Sequence, residues 1–600
     1  MKSLTWLHGS MLADASIRCG TDTQRDIATI SRRTKHEGLS FLTITLPNFC
    51  RDFESCLEKG SVDSLSFLGF RRNRALPAFL RGLLSQVFDP VGGKLLDDPS
   101  ELAILAIRQL CLLYKKVNLQ CSKQRTEEAF DGFVKCESEL SEHFTTRLTN
   151  VQAGQVDRFV RVAGLLWSTV LAGGVRHVLS NDLMPRHGPG TTAERITGNQ
   201  KYVLKRWHTR LDQFFPFDAF GIPCLNALDE EECFNQVEFV EPGAEEPVRV
   251  ISVPKTLSTT RIIAIEPVCM QYTQQAVASY LMETLEKHPL TTGHLNFRDQ
   301  MINRKLAFDS SKSREFATID LSEASDRVHL DLVKGMLNCV PLFRDAVLAC
   351  RSTRARLPDG RIVHLSKFAS MGSALCFPIE SMVFFTLCTL ARLTALNLPL
   401  TARNVRNVTR RVYVYGDDII VPANEVPVVA SVFSLFGLKI NDRKTFKTGM
   451  FRESCGMDAY NATDVTPVYL RCMPPSNKQS ASELVSFVSF ANQLYLKGWW
   501  TTARRVREWI ESILGSLPHV QDTSPCLGWV SFNRMYSFQK YDSDLHAPRV
   551  RGYVIRTSRD QDPLGGYWAL MKFFLKVGPL PIFSQHLEQT VRSGSASINY

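Results

Sequence analysis

The stretch Arg411-Val-Tyr-Val-Tyr-Gly-Asp-Asp-Ile-Ile-Val421 decides how the rest of the chain is read. Val412 to Val414 and Ile419 to Val421 are β-branched or aromatic, which suits strands. Gly416-Asp417 between them favours a tight hairpin turn, and Pro422 ends the pairing. The pattern predicts a buried strand pair with two adjacent carboxylates, Asp417 and Asp418, at its tip. Neighbouring anions repel and are costly to desolvate unless a cation joins them. A hard divalent ion, Mg²⁺ with Mn²⁺ as the alternative, suits oxygen ligands of this kind. A solvated Asp-rich turn would carry the same residues, so a further carboxylate has to decide between the two.

That carboxylate occurs upstream, in Phe316-Ala-Thr-Ile-Asp-Leu-Ser-Glu-Ala-Ser-Asp326. Phe316 to Ile319 is strand-like and Asp320 falls at its end, while Ser322 to Asp326 has the composition of a helix start. Further upstream, Val248 to Lys255 and Arg261 to Pro267 read as two strands joined by a loop, with Lys255 and Arg261 near their joined ends. A triphosphate needs such cations, Arg as a bidentate fork and Lys as a point charge. Ser370, Gly372, Ser373 and Ala374 form a small-residue loop that lets a nucleic acid approach the backbone, and it runs into a long apolar helix. Arg186-His-Gly-Pro-Gly190, with Thr191-Thr192 following, is a second loop suited to a phosphate backbone, although an ordinary connection reads the same.

Composition sets the frame for these motifs. With 600 residues, 44% of them hydrophobic and 22% charged, the chain is globular in composition and long enough for roughly two to four subdomains. A net charge of +11 and a pI near 8.9 favour a polyanionic partner, most simply nucleic acid. The 16 cysteines include no C-x-x-C pair, which argues for reduced thiols over a zinc site or a disulfide framework. Ala374 to Leu400 is the most apolar run, but Pro378, Glu380 and Arg392 make it a buried helix and no membrane span. The first apolar stretch is broken by His8, Gly9 and Ser10, against a signal peptide. Helical spacing is expected over Glu101–Lys116, Thr126–Phe144, Val156–Leu171, Val428–Phe436, Ser482–Leu496 and Gly498–Leu514. Arg549 to Arg559 is a basic stretch with four arginines, Arg549, Arg551, Arg556 and Arg559.

Taken in order, these motifs resemble the palm of a template-directed RNA polymerase, and more closely the replicase catalytic (beta) subunit of levivirus-type positive-strand RNA bacteriophages. The resemblance rests on Val253-Pro-Lys255 with Arg261 and Ile265-Glu-Pro267, Asp320 to Asp326, Met371-Gly372 with Glu380-Ser381, Tyr415-Gly-Asp-Asp418, and Phe451-Arg-Glu-Ser-Cys-Gly456. It covers residues 250 to 456 specifically. Polymerases of animal and plant RNA viruses usually carry an Asp where this chain has Ser325, and an Asn where it has Glu380; both departures look like the phage version.

The resemblance implies an α+β right hand. Residues 1–200 would be a helical region contributing to the fingers, 201–318 fingers with the basic hairpin, 319–470 an antiparallel palm sheet backed by helices (catalytic core about 306–450), and 471–600 a helical thumb. It implies RNA-directed RNA synthesis by two-metal nucleotidyl transfer, with Asp320, Asp417 and Asp418 as ligands of two Mg²⁺ ions. Lys255, Arg261, Ser325, Asp326, Gly372 and Glu380 would contact the nucleotide, with Asp326 first and Glu380 second as reader of the ribose 2′-hydroxyl. Lys444 or Lys439 would protonate the leaving pyrophosphate. Arg186, His187, Gly188 and Gly190 would contact RNA. Implied partners are a single-stranded RNA template, NTPs, host translation elongation factors Tu and Ts and a ribosomal RNA-binding protein, in the cytoplasm of an infected bacterium. A reverse transcriptase, a metal-dependent nuclease and a non-catalytic RNA-binding protein are the rivals.

Overall fold

Tyr413–Tyr415 and Asp418–Pro422 form an antiparallel hairpin whose loop is Gly416-Asp417. Gly416 has φ +62°, the position a type II′ turn assigns to glycine. The second strand pairs on its other side with Phe316–Ile319, giving a three-stranded antiparallel sheet with Asp418–Pro422 at its centre. Phe316–Ile319 is wholly buried, as are Ile419 to Pro422, because helices cover the sheet. Met301–Ser313 packs against all three strands and Cys376–Ala395 against Tyr413–Tyr415. These facts come from a computed structural model that describes residues 2–146, 150–222, 237–557, 561–576 and 596–599.

The apolar run after Gly372 is the buried helix that its interrupting polar residues predict. In Cys376–Ala395 every position from Pro378 to Leu393 is buried. Arg392 inside it pairs with buried Glu425 at 2.6 Å, so neither charge is left uncompensated. The helix is long and apolar enough to cross a membrane, yet it lies within protein.

A four-stranded sheet stands beside this unit, ordered Ile362–His364, Arg354–Arg356, Val248–Pro254, Thr260–Ile265. Its last two strands are the expected antiparallel pair, and Arg354–Arg356 joins Val248–Pro254 in parallel. Helix Lys123–Thr146 packs against Thr260–Ile265. Downstream, Phe451–Ser454 and Met457–Tyr460 make a second hairpin, turning at Cys455 and Gly456, both with positive φ.

The expected helix start at Ser322 to Asp326 is not found. Leu321–Ser322 pairs as a short strand with Lys439–Ile440, and Glu323 takes φ +55°, which an α-helix cannot contain. A single 3₁₀ turn, Ser325–Arg327, follows, and the helix begins at Leu330. Other helices match the expected spacing with shifted ends: Glu101–Leu112, capped by the Ser100 hydroxyl, Lys123–Thr146, Asn150–Val170, Val426–Leu435, Ala481–Leu496 and Trp500–Leu514. All described cysteines are unpaired. Arg559 of the basic stretch lies outside the described residues, and Arg549 is paired with Asp542.

Two large apolar cores result. One gathers side chains from Phe159 to Leu438 around Cys376–Ala395. The other joins Leu4 to Val117 with Phe446 to Trp529, so the first and the later parts of the chain share one interior. Buried Arg108 seals that junction, pairing with Glu54 and Asp458 and donating to the Val465 carbonyl at 3.1 Å.

The hairpin tip is held by contact as well as by turn geometry. A Cβ at Gly416 would stand 2.2 Å from the Phe377 ring, whereas one at Gly360, also at positive φ, would meet open space. Gly416→Ala is therefore expected to destabilise by about 3 kcal/mol, combining backbone strain with overpacking. Gly360→Ala should cost about 1 kcal/mol, from strain alone. Denaturant midpoints of the two variants measure the difference.

Candidate active site

Strand register brings the carboxylates together. Ile419 stands across from Ile319, which leaves Asp418 and Asp320 as the next residues at the same end of the two strands. Asp417, in the turn itself, is exposed beside them. The strand pairing Ile440 with Leu321 brings a second set of partners to Asp320. Asn441 donates its backbone N–H to the Asp320 carbonyl (2.9 Å) and its side-chain amide to Oδ2 (2.8 Å). Lys444 Nζ approaches Oδ1 at 3.3 Å. On the other side, the Ser454 hydroxyl donates to Asp418 Oδ1 (3.4 Å) and the Cys455 thiol to Oδ2 (3.5 Å).

These acids are short of positive charge. Burial, followed by the Asp417 charge, pushes Asp418 up to about 7. Burial also raises Asp320, although Lys444 and Asn441 oppose it. Glu380, buried on the core helix, is pushed well above the usual carboxylate range by burial and then by Asp417. Across the cavity, burial and then Arg261 lower Lys255. Burial works to lower Lys444 as well, but Glu453 and Asp320 outweigh it and raise its pKa.

All of these groups except Asp418 line one cavity of about 1580 Å³. Asp320, Asp417, Lys444 and Glu453 meet there with Lys255, Arg261, Ser325, Asp326, Gly372 and Glu380. Gly372, at φ +126°, lies so close to the basic hairpin that a Cβ would come 2.1 Å from the Ala264 carbonyl oxygen. Ala264 donates its N–H to the Met371 carbonyl, which locks the small-residue loop to the strand bearing Arg261. The Gly416 N–H donates to Ser381 Oγ (3.2 Å), which fixes the aspartate tip to the same helix as Glu380. A further wall comes from the other core: Arg51, Lys115, Lys116, Tyr469 and Arg471, with the Lys116 ammonium 4.1 Å from the Tyr469 ring centre.

Among the described residues, no three His, Cys, Asp or Glu side chains close around one point as a self-sufficient metal cage. Mg²⁺ is commonly held by one or two carboxylates, with water and substrate phosphates completing its shell. The raised Asp320 and the exposed Asp417 on the cavity, with the raised Asp418 next in the chain, suit such an open site. Lys444 and Lys439 part company: Lys444 reaches the cavity, whereas Lys439 pairs with Glu139 at 2.7 Å outside it. Arg186, His187, Gly188 and Gly190 are not brought to the cavity. His187 is buried and stacked on Tyr272 (centroids 4.5 Å apart), and Lys201 donates to the Gly188 and Gly190 carbonyls, leaving Arg186 and Gly190 at the surface.

Sequence reasoning missed Asn441, Glu453, Lys367 and Glu137. Asn441 and Glu453 lie within stretches already marked by Lys444 and by Phe451 to Gly456, whereas Glu137 sits on the expected helix Thr126–Phe144, which carried no functional signal.

Residues 231–503 match the family model described as RNA replicase, beta-chain. Over that segment the chain is a distant homologue of the RNA-phage replicase beta subunits. The RNA-directed RNA polymerase subunit beta of Qbeta virus (strain MX1) is 39% identical over 223 residues, 37% of this chain and 35% of that protein. The corresponding beta chain of Escherichia phage MS2 is 31% identical over 250 residues, 42% of this chain and 41% of its own. The chain thus spans about a third to two-fifths of the curated relatives' length. Among solved structures, the RNA-dependent RNA polymerase of a human picorbirnavirus aligns at 13% identity with a TM-score of 0.31, over 44% of this chain and 55% of that one. The replicase segment contains every cavity residue from Lys255 to Glu453; the Arg186–Gly190 loop precedes it.

A raised carboxylate is protonated more readily folded than unfolded, so Asp418 lowers stability as pH rises from about 4 through about 7. Without divalent ions, Asp418→Asn is expected to stabilise at pH 8 by on the order of 2–3 kcal/mol, allowing for solvent that still reaches the site, with the gain vanishing at pH 4. Added Mg²⁺ should raise the melting temperature of the native chain more than that of the variant.

Proposed function

We propose that this chain is an RNA-directed RNA polymerase that replicates and transcribes a positive-strand RNA phage genome. The observation carrying this reading is the cavity that Asp320 and Asp417 share with Lys255, Arg261 and Lys444, with Asp418 next to Asp417 at the end of its strand. A nuclease needs the acids but has no use for a triphosphate clamp, and an RNA-binding protein needs neither. In this reading residues 201–318 serve as fingers, 319–470 as palm and 471–600 as thumb, with 1–200 contributing to the fingers.

Asp320, Asp417 and Asp418 would hold two Mg²⁺ ions, Mn²⁺ being the alternative, which when bound supply activation of the 3′-hydroxyl and neutralisation of phosphate charge. Lys255 and Arg261 grip the triphosphate and stabilise charge as pyrophosphate leaves. Lys444, kept protonated by Glu453 and Asp320, donates a proton to that pyrophosphate. Asn441 holds Asp320 in its rotamer. Ser325 and Gly372 line the nucleotide's berth, and Asp326, with Glu380 behind it, accepts the ribose 2′-hydroxyl, which a reverse transcriptase would not require. The Arg186–Gly190 loop contributes to RNA binding away from the reacting centre. The partners are an RNA template and NTPs, with elongation factors Tu and Ts and a ribosomal RNA-binding protein of the bacterial host completing a cytoplasmic holoenzyme.

RNA synthesis on a single-stranded template with NTPs and Mg²⁺, supplemented with bacterial elongation factors, tests the reading. The native chain should yield template-length product and Asp417→Asn none; tight RNA binding without product would hand the chain to the binding-protein reading. Lys444→Leu should slow turnover about 100-fold, the scale of a lost general acid. Lys439→Leu should leave turnover near the native rate, and equal rates in both variants would remove Lys444 from the mechanism.

A further inference from the structure

Behind the nucleotide side of the cavity lies a lysine that the mechanism above does not use. Lys367 has no solvent exposure, and its Nζ donates to Asp326 Oδ1 at 2.7 Å and pairs with Glu137 Oε1 at 3.0 Å. The ammonium also stands 3.7 Å from the centre of the Phe133 ring. Phe133 and Glu137 are one turn apart on helix Lys123–Thr146, so this helix closes the pocket around the charge. Glu137 Oε2 in turn accepts the backbone N–H of Ser366 at 2.7 Å, tying the helix to the residue before Lys367.

The two carboxylates around Lys367 differ in setting. Glu137 is 3% exposed and faces only protein, whereas the Asp326 side chain is 24% exposed and lines the cavity. The neighbourhood of Asp326 is acidic, since Asp326 and Asp417 both act on Glu380. Without a fixed cation, an acid there is free to turn away into solvent. The lysine is itself held charged: burial opposes its charge, and Asp326 and Glu137 more than offset that. Oriented by the ammonium, the Asp326 carboxylate can accept a hydroxyl proton and gains nothing from a hydrogen or a fluorine at the same place.

We infer that Lys367 is the positioning residue for ribose selection, holding Asp326 in a single rotamer as the acceptor for the nucleotide 2′-hydroxyl, with Glu137 as a buried counter-ion that offsets the cost of burying the lysine. The inference rests on the polymerase reading above and adds to it a specificity determinant that reaches the substrate only through Asp326. It also gives helix Lys123–Thr146 a role in choosing the sugar, although Asp326 itself lies nearly two hundred residues downstream.

Single-nucleotide incorporation on an RNA template, with kcat and KM measured for an NTP, its 2′-deoxy and its 2′-fluoro analogues, tests this. Because Lys367→Met alone strands two acids in the interior, the informative variant is Lys367→Met with Glu137→Gln, which removes the buried charges as a pair. It should raise KM for the NTP and lower the NTP-to-dNTP ratio of kcat/KM by about tenfold or more, the scale of one charge-assisted hydrogen bond, with the analogues little changed. Glu137→Gln alone, which leaves the Lys367–Asp326 contact intact, should keep the native ratio. A parallel loss for all three nucleotides, an unchanged ratio, or an equal fall in Glu137→Gln would overturn the inference. Thermal melts check the fold. If the double variant does not fold, Asp326→Asn must lower the ratio by itself, and an unchanged ratio there overturns the inference as well. A native chain that incorporates no nucleotide at all, with elongation factors present, refutes the polymerase reading instead.

Discussion

The antiparallel register of Phe316–Ile319 with Asp418–Pro422 is the constraint on which the site depends. Side chains alternate along a strand, so a slip of one residue would turn Asp418 and its buried neighbours to the opposite faces. Both strands are buried on both sides, and such a slip would expose apolar side chains while burying acids. The register that satisfies the hydrophobic core is therefore the one that crowds carboxylates at the strand ends. Core packing thus supports an arrangement that electrostatics alone would disperse, and the raised pKa values of Asp320 and Asp418 record the cost.

Two glycines translate this sheet into a cavity. Gly416 lets the aspartate tip lie against Phe377 and Ser381, and Gly372 lets the small-residue loop lie against Ala264. Phe377 and Ser381 belong to helix Cys376–Ala395, and Gly372 shortly precedes it. One rigid element thus sets the distance between the acids and the basic hairpin. Pre-organisation of this kind lets charged groups act without reorganising during a reaction. Asn441 and the Lys367–Glu137 pair extend it outward, each holding one acid that faces the cavity.

The wall opposite the basic hairpin depends on a different contact. Leu4 to Val117 shares its core with Phe446 to Trp529, and Arg108 and Gln109 bond directly to backbone of the later segment. Lys115 and Lys116, which follow on the chain from Arg108, reach the cavity beside Tyr469 and Arg471 because of that junction. The first 117 residues pack with the segment after 446, and those from 159 pack with the central sheet and helix.

Much of the site was legible from sequence. A β-branched run broken by Gly-Asp, an Asp at a strand end, and a Lys and an Arg at a strand pair's joined ends are local patterns with local causes, and each appears at the expected residues. Helices were legible from their apolar period, with ends displaced by a few residues. The start proposed at Ser322 failed because a long-range pairing with Lys439–Ile440 overrode local capping preference. Register, burial and ion pairing between distant segments lay beyond the sequence, because they depend on which surfaces meet. That is why Asp417 and Asp320 share one cavity, why Lys444 and not Lys439 enters it, why His187 is closed off behind Tyr272, and why Lys367 is buried between Asp326 and Glu137. The sequence by itself determined which chemical groups the chain owns and which strands and turns carry them; only the tertiary structure decided which charges share one low-dielectric space, since that follows from packing across hundreds of residues.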